Sequence, residues 1–115
     1  MKGDGALAEK LAADFLQRNG LRLIESNFRC RMGEIDLILQ DGGTLVFAEV
    51  RLRSNMRFGG AAASITVAKQ AKISCAARIY LQQHRIDAPC RFDAVLLDSL
   101  DAKRIEWIKN AFEGA

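Results

Sequence analysis

Gly33-Glu34-Ile35-Asp36-Leu37-Ile38-Leu39-Gln40-Asp41-Gly42-Gly43-Thr44-Leu45-Val46-Phe47-Ala48-Glu49-Val50-Arg51 reads as two strongly apolar strands joined by a glycine turn. Acidic residues seldom occupy such strands alone, because a buried charge must be paired, bound to a metal or neutralised. The turn fixes which acids meet. If Gly42-Gly43 form a two-residue primed turn, Asp36 lies opposite Glu49 and Glu34 opposite Arg51. If the turn is Asp41-Gly42, Glu34 faces Glu49 instead. In both registers Glu34, Asp36, Glu49 and Arg51 share one face, since strand side chains alternate with period 2. Directly opposed like charges destabilise a sheet, and a divalent cation between them removes the problem.

Outward from this hairpin, Asp4 is placed to cap a first helix running to Arg18. Ala8, Leu11, Ala12 and Phe15 fall on one of its faces, and Asn19-Gly20 stops it. Leu21 to Phe28 reads as a strand and Cys30-Arg31-Met32-Gly33 as a turn. After the hairpin, Ser54 to Ala63 carries Gly59-Gly60 and no period, which marks a loop. Ser64 or Thr66 opens a second helix ending near His84, with an apolar stripe of Ala68, Ala71, Cys75, Ala76 and Ile79. Asp87-Ala88-Pro89 breaks it. Arg91 to Leu97 is a fourth strand and Arg104 to Ile108 a short fifth. The order α-β-β-β-α-β-β implies an α/β fold, a mixed sheet with helices packed on it. The helical crossover makes one strand pair parallel.

The chain has 115 residues, half of them hydrophobic, which suits a single domain over residues 1–115 with a real core. No apolar run approaches the ~18 residues of a membrane span. Met1 to Gly5 lacks the apolar stretch of a signal peptide. Cys30, Cys75 and Cys90 match neither a disulfide framework nor a zinc pattern. Together these lead us to expect a cytoplasmic protein with reduced thiols and no membrane partner. The formal charge of +3 hides an asymmetry. From Val50 to Ile86 there is no Asp or Glu, while Arg51, Arg53, Arg57, Lys69, Lys72, Arg78 and Arg85 all fall there. A basic segment directly after an acidic pair suggests a polyanion partner brought to a metal site. Taken singly, these cations also read as solvated surface.

Asp36 followed by Glu49-Val50-Arg51 on the neighbouring strand resembles the PD-(D/E)xK, or restriction-endonuclease-like, nuclease superfamily. Gly33-Glu34-Ile35-Asp36-Leu37-Ile38 with Val46-Phe47-Ala48-Glu49-Val50-Arg51-Leu52-Arg53 looks more specifically like the YraN-type family of uncharacterised bacterial proteins. Members of that family are taken to be nuclease-like and related to archaeal Holliday-junction resolvases. The resemblance spans nearly the whole chain, including the helix around Glu9, the Lys69-Gln70 helix start and Arg91-Phe92-Asp93. It implies a restriction-endonuclease-like sheet flanked by helices and a metal-dependent DNA endonuclease, with branched or recombining DNA as the substrate by analogy. By the same resemblance Asp36 is the first metal-binding Asp, Glu49 the second acid and Glu34 the glutamate beside them. Glu9 matches the helix acid that completes the metal site in relatives, and Gln70 a helix position that contacts the site in some of them. Arg51 stands where the motif has lysine.

Such hard oxygen ligands suit Mg²⁺ or Mn²⁺, with the Val50 carbonyl as a further donor. Arg51 supplies charge and hydrogen bonds but stays protonated, so it cannot be a base. Three consequences remain open. The metal-bound water carries the reaction; Lys69 or Lys72 replaces the missing lysine; or the protein binds nucleic acid without cleaving it. Arg53 and Arg57 are candidate phosphate clamps together with Lys69 and Lys72. Cutting both strands of a duplex with one small domain would call for a homodimer. Against these readings, Asp36 and Glu49 also suit a structural ion-pair network with Arg51 and Arg53. Glu34 suits a cross-strand pair with Arg51, Gln70 an ordinary helix surface, His84 a helix end and Trp107 the core.

Overall fold

The computed structural model describes residues 2–52, 65–98, 100 and 104–114, with side chains from Gly5 onward. Arg53 and Arg57, and the expected loop from Ser54 to Ala63, lie outside the described residues. The elements are α1 (Lys2–Arg18), β1 (Arg22–Cys30), β2 (Gly33–Asp41), β3 (Thr44–Leu52), α2 (Val67–Gln83), β4 (Cys90–Leu97) and β5 (Ile105–Phe112). The expected order α-β-β-β-α-β-β holds. The five strands form one sheet in sequence order, β1-β2-β3-β4-β5. Neighbours are antiparallel except β3 and β4, the pair separated by α2, which are parallel.

Each helix covers one face of the sheet. Ala8, Ala12, Ala13 and Leu16 of α1 pack with Leu37, Leu39, Val46, Ala48, Val95 and Leu97. The three alanines keep α1 close to the sheet. Ile73, Ala76, Ala77 and Tyr80 of α2 pack on the other side with Ile38, Leu45, Phe47, Phe92 and Leu96. Covered on both faces, β3 and β4 are apolar almost without interruption, as buried parallel neighbours must be. Among the described residues no helix is long and apolar enough to cross a membrane.

The hairpin adopts the Gly42-Gly43 register, with Leu37 opposite Ala48 and Asp41 opposite Thr44. Gly42 takes φ +60°, which the first position of a type II′ turn demands and a side chain resists. Several element details differ from expectation. Helix α1 begins at Lys2, so Asp4 lies inside its first turn rather than capping it. Strand β1 runs on to Cys30, which pairs with Gly33 and leaves a two-residue turn. Strand β5 continues past Ile108 to Phe112. Of the expected α2 stripe, Ala76 is buried and Ile79 packs on the core, but Ala68 and Ala71 are exposed, and the buried face is completed by Ile73, Ser74, Ala77 and Tyr80. Ile73 and Tyr80 bury more apolar area than several alanines, and that area sets the rotation of the helix. Thr66 caps α2, its hydroxyl accepting from the Lys69 amide at 3.1 Å.

Candidate active site

The acids meet where the hairpin ladder gives out. Beyond the Leu37–Ala48 pair, the Val50 amide donates to Asp36 Oδ2 at 2.9 Å, so a side chain takes the place of a strand carbonyl. This clamps the Asp36 carboxylate against β3, where it hydrogen-bonds the Glu49 carboxyl. Glu49 is only 4% exposed. Burial, and then the charge of Asp36, push its carboxyl up to about 7. Burial also raises Asp36, although the Val50 amide and the bond to Glu49 oppose the rise. Two carboxyls held this close resist ionising together, so their titrations are linked.

Two cations reach the same carboxyl. Arg51 Nη2 lies 2.9 Å from Glu49 Oε2. Lys69 Nζ, from the first turn of α2, lies 3.7 Å from the same oxygen. Arg51 Nε is buried and has no hydrogen-bond partner among the described residues. Thus the structure brings together Asp36, Glu49, Arg51, Lys69 and the Val50 amide.

The remaining candidates stand around this centre. Glu34 pairs with Arg29 of β1 at 3.2 Å rather than with Arg51, because the β2–β3 ladder has ended by that point. Partial burial raises the pKa of Glu9, and the charges of Asp36 and Glu34 add to the rise. Glu9 is thus near enough to these acids to feel their charge. Among the described residues, however, no three His, Cys, Asp or Glu side chains lie close enough together to hold a metal ion. Gln70 turns the other way and donates to the Ile65 carbonyl at 2.9 Å, so from this turn of α2 it is Lys69 that reaches the acids. Lys72 is exposed one turn further on. His84 caps the end of α2 and stacks on Tyr80, centroids 4.1 Å apart. Trp107 is half-buried, edge-on to Phe15, with its indole N–H donated to Asp93 at 2.9 Å.

Two residues escaped the sequence reading. Asn27 sits mid-strand with φ +56° and hydrogen-bonds the Glu9 carboxylate, which opposes the rise in its pKa. The signal was an Asn within a strand, a residue disfavoured there but tolerant of left-handed backbone. Asp93, fully buried, gathers Arg91, Trp107 and the Asn110 amide at 2.9–3.1 Å. Arg91 then reaches on to Asp41 at 2.9 Å, tying the hairpin turn to β4 and β5.

The donor set at Asp36 and Glu49 is all oxygen, with no thiolate or imidazole. It fits a hard divalent cation, which takes one or two carboxylates and fills its remaining positions with water and phosphate oxygens. A cation there would also relieve the repulsion between the two acids.

Fold and site together define a small α/β protein whose mixed sheet carries a buried carboxylate pair, flanked by an arginine and a helix lysine. The family model for the uncharacterised protein family UPF0102 matches residues 8–97, a segment holding every member of this centre. The chain belongs to the UPF0102 (YraN) family. A UPF0102 protein of Nitrosomonas europaea is 58% identical over 109 residues, covering 95% of this chain and 92% of that protein. UPF0102 proteins of a Janthinobacterium species and of Legionella pneumophila are 53% and 50% identical, each over 95% of this chain.

Proposed function

We propose that this protein is a nuclease that hydrolyses phosphodiester bonds in DNA, with Mg²⁺ or Mn²⁺ held by Asp36 and Glu49. The observation that carries the reading is Lys69. The motif position after Glu49 holds an arginine, yet a lysine from a different element approaches the same carboxyl at 3.7 Å. The set of two acids and one lysine is thereby restored by the packing of α2. When bound, the metal orients a phosphate, lowers the pKa of a water and neutralises developing charge. The Val50 carbonyl and, through water, Glu9 are candidates for additional donors. Asp36 is held ready by the Val50 amide. The Arg51 guanidinium, held on Glu49 through Nη2, adds positive charge beside the acids for a phosphate. Lys69 can both stabilise the charged transition state and, unlike arginine, exchange a proton with the attacking water. Cys30, Cys75 and Cys90 are free thiols, in keeping with work in the cytoplasm.

The test is cleavage of labelled single-stranded, duplex, flap and four-way-junction DNA in Mg²⁺ and Mn²⁺, with Asp36→Ala and Glu49→Ala as controls. Cleavage lost in both variants supports the reading. Well-folded protein that cuts none of these DNAs removes it. One observation favours a second reading. Glu49 is already compensated by Arg51 and Lys69, as in a nucleic-acid-binding module that keeps the fold without turnover. That module would bind DNA in a salt-sensitive way, and binding would survive both substitutions.

A further inference from the structure

Beside the acidic pair, the β1–β2 turn and α2 enclose a cleft of about 320 Å³, lined by Arg29, Cys30, Gly33, Glu34, Lys69 and Lys72. Among the described residues its charge is lopsided, with three cations against one carboxylate. Its depth depends on Gly33. A side chain there would come within 2.9 Å of the Lys72 carbonyl oxygen, so glycine lets strand and helix close up until Lys72 borders the same hollow as Arg29. Glu34 holds Arg29 at 3.2 Å, but both side chains are largely exposed, at 46% and 74%. A pair so exposed is weak and exchanges readily for a stronger anion. Lys69 belongs to both places, lining the cleft and approaching Glu49. Glu34 precedes Asp36 by two residues of β2, about 7 Å along the strand, a distance of the order of one nucleotide step.

We infer that this cleft binds the backbone phosphate adjacent to the one held at Asp36 and Glu49. The inference rests on the nuclease reading and adds to it a direction, since the bound strand then runs from the acids along β2 toward the β1–β2 turn. Arg29 and Lys72 clamp that phosphate from the sheet side and the helix side, and Lys69 stands between the two phosphates. Glu34 serves as a displaceable counter-ion that keeps Arg29 in place when the cleft is empty.

The experiment is metal-free equilibrium binding of a short single-stranded DNA as a function of salt, with the whole chain. The variants are Arg29→Ala, Lys72→Ala and the double variant, with Lys109→Ala on β5, at the opposite edge of the sheet, as control. Arg29 and Lys72 are exposed, and circular dichroism checks that each variant is folded. Because both clamp one phosphate, the double variant should lower the slope of log K against log salt by about 0.7, the contribution of one contact on a single strand. The control should leave it unchanged. A wild-type chain that binds with a slope insensitive to both substitutions overturns the cleft and leaves the nuclease reading standing. A loss of about 1.4, two separate phosphates, overturns the shared clamp. Wild-type protein that binds no DNA, with or without Mg²⁺, overturns both. Inorganic phosphate is the second probe. If millimolar phosphate displaces the oligonucleotide only in proportion to its ionic strength, the cleft is one for polymer phosphate. Saturable displacement of Arg29 and Lys72 contacts by free phosphate overturns that assignment.

Discussion

Replacing Glu49 with glutamine in the metal-free protein should flatten the dependence of stability on pH. The Glu49 carboxyl titrates near 7 in the folded protein, against 4.5 ordinarily, because it is buried and lies against Asp36. The folded state therefore holds its proton more tightly than the unfolded chain does. The associated stability is complete below about pH 4.5 and is lost as pH rises through 7. The gap between 4.5 and about 7 corresponds to about 3 kcal/mol, at about 1.4 kcal/mol per pH unit. Asp36, also raised, adds in the same direction. Glutamine keeps the shape and a hydrogen bond to Asp36 but has no proton to lose. It gives up the contacts to Arg51 and Lys69, which are about one third exposed and worth about 1 kcal/mol or less each. Urea unfolding in chelator at pH 5 and pH 8 measures the effect. The wild-type chain should lose about 3 kcal/mol more than Glu49→Gln across that interval, and millimolar Mg²⁺ at pH 8 should return stability to the wild type alone. Parallel pH profiles for the two proteins would refute the picture of a crowded pair with linked titrations.

Further outcomes follow from the same geometry. Lys69→Met should lower Mg²⁺-dependent cleavage by about a hundredfold, the scale for removing one charged group at a transition state, while Gln70→Ala changes it little. Single-turnover rates on whichever DNA the wild type cuts provide the comparison. Gly33→Ala should cost about 1–3 kcal/mol in denaturant unfolding, since its Cβ meets backbone 2.9 Å away rather than a yielding side chain. Asp93→Ala should cost about 3–5 kcal/mol by leaving Trp107 and the Asn110 amide without their acceptor around a buried gap and Arg91 with Asp41 alone. A loss below about 1 kcal/mol would show that the network is dispensable.

The hairpin and its opposed acids were legible from residues alone, because turn chemistry and strand alternation are local. Gly42-Gly43 admits a positive φ, and either two-residue turn the sequence offers puts Glu34, Asp36, Glu49 and Arg51 on one face without reference to the rest of the chain. The element order was legible for the same reason, through the periodicity of each segment and the Pro and Gly stops between them. The family resemblance resided in these same blocks, which lie within residues 8–97.

What the sequence left open depends on how elements pack at long range. Which side of α2 faces the sheet follows from the area that Ile73 and Tyr80 bury, and this rotation sends Lys69 to Glu49 and Gln70 to Ile65. The end of the β2–β3 ladder gives Glu34 to Arg29 and frees the Val50 amide for Asp36. A left-handed residue in β1 delivers Asn27 to Glu9. The sequence by itself thus determined the acids and the face they share, since strand alternation carries that information, and the turn found at Gly42-Gly43 chose between the two registers it allowed. Only the tertiary structure decided which cations attend them, since that is set by the docking of a helix remote in sequence.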